Sequence, residues 1–148
     1  MNDHISFASK LAHNIGLIVL ESQELERHLK VIAAASDLSA TTTIIERHKK
    51  LERRSLGEVV KRFIGNVTIT EGAVDDLENY FRLLLDRRNR VVHHFFETYA
   101  EDLNAERHTE ILVDLGALHR DLREVARAFR GINEAFLESL NEEQPLSS

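Results

Sequence analysis

Apolar residues recur along this chain in steps of three and four. In the first segment they fall at Phe7, Leu11, Ile15, Ile18, Leu25, Leu29 and Ile32, and every step is three or four once Ser22 counts as a polar member. That spacing predicts one long amphipathic helix over residues 2–35, with Asn2 or Asp3 as its N-cap. Residues 36–43 (SDLSATTT) read as a polar turn, and residues 44–54 (IIERHKKLERR) as a short basic helix. Ser55-Leu56-Gly57-Glu58 has the S-x-x-E form of a capping box and should open a further helix that stops at Gly65-Asn66. Residues 67–69 alternate apolar and polar, too briefly for a sheet. Thr70 is placed to cap a helix whose stripe is Val74, Leu77, Phe81, Leu84, Arg88, Val91 and Phe95. The last helix is expected to start near Asn104. Its seam of Ile111, Leu115, Leu118, Leu122, Val125, Phe129, Ile132, Phe136 and Leu140 has heptad spacing. The sum is an all-α domain over residues 1–140, an up-and-down bundle of four to five helices, followed by an acidic flexible tail at 141–148.

Composition sharpens this picture. The only proline among 148 residues is Pro145, so nothing before it breaks a helix on that account. The length suits one domain with one core. Cysteine is absent, which excludes disulfides, a thiol nucleophile and thiolate metal sites. The longest apolar-or-glycine run, residues 15–20, is far too short to cross a bilayer, and MNDHISFASK lacks the layout of a signal peptide. A soluble, cytoplasmic protein with no membrane partner is expected. The formal charge of −6 argues against a general nucleic-acid coat but leaves room for a small basic site.

Candidate chemistry concentrates in LLLDRRNRVVHHFFETY, residues 83–99. Arg88 stands where the stripe asks for an apolar side chain. An uncompensated charge there is costly, so it needs a partner, a wet cleft or an anionic ligand. On a helix Asn89 and His93 lie four apart and share a face with Asp86, Arg90 and Glu97. The bland reading is a buried Arg88 and His93 held by Asp86 or a backbone carbonyl.

Arg88-Asn89-Arg90-Val91-Val92-His93 resembles the R-N-x-x-x-H form of the R-x(4–6)-H motif of HEPN domains, small α-helical domains many of which are metal-independent endoribonucleases or toxins. The helical pattern around the motif is similar across essentially the whole chain. The resemblance implies a homodimer in which two motifs face each other across a composite RNA-cleaving site. It implies His93 as general base or acid on the ribose 2′-hydroxyl or the leaving 5′-oxygen, a role suited to imidazole. Arg88 would hold the scissile phosphate and Asn89 would orient the histidine or donate to the phosphate. Products would end in 2′,3′-cyclic phosphate and 5′-hydroxyl, with no metal or other cofactor. Arg87 to His93, Arg88 to His94 and Arg87 to His94 also satisfy the looser spacing, and Arg87, Arg90 and His94 are auxiliary or RNA-binding candidates. Some members extend the motif to R-x4-H-x-Y, a tyrosine modified by a partner antitoxin. Here Phe95 holds that place and Tyr99 follows four residues later. A toxin or phage-defence effector is the expected role, with RNA as substrate and a protein antitoxin or regulator as partner. The alternative is a non-catalytic HEPN homodimer that binds RNA or a protein.

Eight histidines raise the question of a metal, but the pairs Glu24/His28, His48/Glu52 and His93/Glu97 form neither an E-x-x-H nor an H-E-x-x-H pattern, so no metal site is expected. Basic residues gather at 46–62, at Arg82, Arg87 and Arg90, and at Arg120, Arg123, Arg127 and Arg130. A solvated helix face is their ordinary explanation; placed around the motif they would form a phosphate track.

Overall fold

The computed structural model describes residues 2–37, 41–66 and 71–142, and every regular element among them is helical. In chain order these are α1 (Asn2–Ser36), α2 (Ile44–Leu51), α3 (Leu56–Asn66), α4 (Glu71–His93), α5 (Phe95–Thr98), α6 (Ala100–Asn104) and α7 (His108–Glu142). The protein is all-α, and none of these helices is long and apolar enough to cross a membrane.

Cross-helix contacts give each helix its direction. Arg47 Nε donates to the Ala34 carbonyl at 2.6 Å and Lys30 Nζ to the Glu52 carbonyl at 2.8 Å, so α2 descends beside α1. Asn66 Nδ2 reaches the Ala33 carbonyl at 3.1 Å, which sets the end of α3 beside the end of α1. α4 descends along α3, with Phe81 against Phe63 near one end and Arg88 beside Leu56 at the other. α5 and α6 make the return, and α7 runs parallel to α1. Phe7 stacks on His108 with centroids 3.9 Å apart, His119 lies 3.6 Å from Glu21, and Asn133 bonds His28 at 3.1 Å.

The two 35-residue helices α1 and α7 form the spine. Ile18, Leu25 and Leu29 from α1 and Ile111, Leu115, Leu118 and Leu122 from α7 are almost wholly buried. Val59 of α3 and Phe81 of α4 close the core, and Phe63, Phe81 and Phe129 form an aromatic cluster inside it. The Ser55 capping box is in place. The Ser55 amide bonds a Glu58 oxygen at 2.9 Å while Ser55 Oγ accepts from the Glu58 amide. The Ser55 amide and the Ser55 hydroxyl both donate to the Glu58 carboxylate and, with Arg54, hold it below its ordinary range. A second box, Thr43 with Glu46, starts α2.

Several boundaries differ from the sequence reading. The basic helix stops at Leu51, and Arg54 turns the chain with a bond from its amide to the Leu51 carbonyl. The stripe that included Phe95 is bent at His94, whose φ of −133° and ψ of 35° leave the helical region. The bend carries Tyr99 into the core, where its hydroxyl donates to Asp114. The last helix begins at His108, because Asn104 belongs to α6 and residues 105–107 turn the chain first. Glu106 there has φ of 54°, its amide bonds the Leu103 carbonyl, and the Arg107 amide bonds the Asp102 carbonyl at 2.8 Å. This is a Schellman termination with glutamate in the left-handed position. Beyond Phe129 the α7 seam changes track. Ile132 is half exposed and Leu140 is exposed, while Asn133 is buried against His28. Asn141 and Glu142, placed in the expected tail, continue α7. The Thr70 cap and the alternation at 67–69 lie outside the described residues.

Two outcomes are expected in urea unfolding. Leu122→Ala should lose about 2–5 kcal/mol, as emptied core positions do. Glu106→Gly should gain about 1 kcal/mol by removing a side chain from a left-handed backbone.

Candidate functional site

The motif occupies the last turns of α4, where that helix passes the start of α3. A cleft of about 440 Å³ opens there. Arg88, Asn89, His93 and His94 lie on one wall with Leu85, facing Ser55, Leu56 and Gly57 of α3 and Glu26 of α1. Asn89 and both histidines are exposed, and Arg88 is half-buried.

The electrostatics centre on Arg88. Its Nη1 donates to Asn89 Oδ1 at 2.9 Å, while its Nε is buried with no hydrogen-bond partner. A buried donor without a partner is costly and uncommon in folded proteins. The one acidic residue on the cleft wall, Glu26, is engaged by Lys30 Nζ at 2.7 Å. Neither Arg88 nor His93 is bonded to Asp86, which lines an adjoining groove. The cleft therefore combines a guanidinium that lacks a carboxylate, a side-chain amide fixed to it, and two imidazoles open to solvent. Such a set suits an anion and the transfer of a proton beside it.

The neighbouring candidates are turned elsewhere. Arg87 Nη1 meets Asp121 Oδ2 at 2.6 Å and ties α4 to α7, so the alternative spacings that begin at Arg87 start outside the cleft. Arg90 is exposed and does not line the cleft. Glu97, expected on the same face as His93, belongs to α5 beyond the bend. Tyr99 is buried, and burial with the Asp114 bond pushes its phenol far above the usual tyrosine value.

The basic clusters divide by the same logic. Arg47 bonds the Ala34 and Thr42 carbonyls, and Arg54 pairs with Glu58 at 3.2 Å. Lys61 and Arg82 line the groove that adjoins the cleft, so the 46–62 cluster and the motif helix do meet there. Arg123, Arg127 and Arg130 line a separate cleft between α1 and α7 with Glu21 and Glu24. Among the described residues no three potential metal ligands come together. Glu26, Ser55 and Gly57, to which the sequence assigned no functional role, reach the cleft only because α1 and α3 fold against α4.

No protein-family model, curated protein or solved structure matches this chain. The resemblance noted from its sequence rests on the motif residues and the helical architecture around them.

The two adjacent arginines should separate cleanly. Arg87→Ala should destabilise by about 0.5–1 kcal/mol, less at high salt, because its ion pair is partly exposed. Arg88→Met, which keeps the stem and removes the unpartnered donor, should leave the melting temperature unchanged or raise it. A loss of stability from Arg88→Met would contradict the cleft geometry. The raised Tyr99 value also sets an alkaline limb. The folded chain keeps a proton that the unfolded chain releases above about pH 10. Stability is thus complete below that pH and falls as pH rises above it, and Tyr99→Phe should make that fall shallower in alkaline denaturation.

Proposed function

We propose that the chain is a HEPN-type, metal-independent endoribonuclease acting as a homodimer, in the role of a toxin or phage-defence effector. The observation that carries this reading is the Arg88 guanidinium, held in an open cleft by Asn89, with its Nε unpartnered and two histidines on the same wall. A structural arginine would have a carboxylate or carbonyl at that position. A phosphate in the cleft supplies the counter-charge that this half-buried guanidinium lacks.

In this mechanism Arg88 and Asn89 hold the scissile phosphate. His93 of one protomer takes the proton from the ribose 2′-hydroxyl, whose oxygen attacks phosphorus. The bond from phosphorus to the 5′-oxygen breaks, and that oxygen takes a proton from His93 of the second protomer. The products carry a 2′,3′-cyclic phosphate and a 5′-hydroxyl. Arg88 offsets the charge that builds on the phosphoryl oxygens. His94, on the same wall, serves as the auxiliary imidazole. Phe96, three residues past His93, is 75% exposed and supports an apolar contact between copies beside the motif.

Incubation of the purified protein with total RNA in EDTA tests the reading. Wild type should cleave, and His93→Ala and Arg88→Ala should each lower the rate about 10²–10⁴-fold. Light scattering should return a dimer at micromolar concentration. RNA binding without cleavage, equal in wild type and His93→Ala, would instead assign the chain to the non-catalytic binding class.

A further inference from the structure

The motif cleft does not end at Asn89. A second groove, of about 630 Å³, runs on between α3 and α4, and Gly57, Leu85 and Asn89 line both. Its volume is within the roughly 300–1,000 Å³ of sites that enclose small organic groups. Val60, Ile64 and Leu85 supply an apolar lining. Its charged members balance, Lys61 and Arg82 against Glu78 and Asp86. The two compartments therefore differ in chemistry. The first offers a cation without a counter-charge. The second offers apolar surface with both donors and acceptors, which suits a neutral planar group better than a phosphate.

We infer that this groove is a nucleobase subsite, receiving the base next to the phosphate held at Arg88. The inference rests on the ribonuclease reading above. A base can enter such a groove only when unpaired and splayed from its neighbours, which a duplex does not permit. Apolar contact with the base faces and hydrogen bonds at its edge are how proteins hold single-stranded bases. Asn89 stands where the two compartments join, so phosphate and base are read from one residue.

Gly57 forms the passage between them. It lies in the first turn of α3, and a Cβ built there meets no atom within 4 Å. A large side chain grown from this shared lining position has room to fill space between the compartments, and a methyl group leaves that space open.

The test uses the intact protein and a single-stranded oligoribonucleotide containing a mapped cleavage site. Gly57→Trp should weaken binding of the oligomer blocked by 2′-deoxy substitution at that site by at least about tenfold, the scale of one lost base contact. Gly57→Ala should bind as wild type does. An abasic nucleotide beside the cleaved phosphate should weaken wild type about as much, yet cost Gly57→Trp little further, because both changes remove one contact. The abasic arm needs no variant, so a Gly57→Trp chain that misfolds leaves the question answerable. Unchanged binding of the abasic oligomer by a wild type that cuts RNA, or equal cleavage of a duplex of the same sequence, would overturn the subsite and leave the ribonuclease intact. A wild type that neither binds nor cuts RNA would overturn both.

Discussion

The parallel seam between α1 and α7 is the constraint on which the rest of this molecule depends. Two helices running in the same direction need a return path between them, and α2 to α6 supply it. Hydrophobic burial holds the seam together but permits sliding by a turn, since many apolar positions are interchangeable. A buried polar contact does not. Asn133 Nδ2 donates to His28 Nδ1 while His28 Nε2 donates to Glu24 at 2.9 Å, so both imidazole nitrogens are bonded in one register only. The change of track at Asn133 is the local consequence of that pairing.

The seam leaves the other helices to cover its open side, and α3 and α4 do so around Phe63, Phe81 and Phe129. α4 must then meet α1, α3 and α7 along different faces. Arg87 is drawn to Asp121 on α7, while Arg88, one residue on, is rotated towards α3. A helix turns about 100° per residue, so two adjacent arginines have different partners and different consequences. The first is structural. The second stands in the cleft with no carboxylate bonded to it, and the proposed phosphate contact accounts for that.

Much of this was legible in the sequence. The steps of three and four over Phe7 to Ile32 and Ile111 to Phe129 described the buried stripes well, because burial on one helix face is a local periodic signal. The S-x-x-E at Ser55 was equally readable, being closed within four residues. The bend at His94 and the glutamate at left-handed φ were not. Neither position carries the proline or glycine that usually announces a break. The bend follows from Tyr99 reaching Asp114 on α7, a contact fifteen residues away, and the Schellman turn from bonds back to Asp102 and Leu103.

The sequence by itself determined the all-α class, the two long helices and the anomaly of Arg88, since each is set by neighbours within a turn or two. Only the tertiary structure decided which arginine enters the cleft, that Glu26 of α1 faces it, and that Gly57 lies between it and a second groove. These depend on the rotation of α4 against α3 and α1. That rotation is set by packing between residues far apart in the chain, where no local pattern records it. Arg88 thus changed from a misfit in a hydrophobic pattern to a cation that, among the described residues, has no bonded carboxylate.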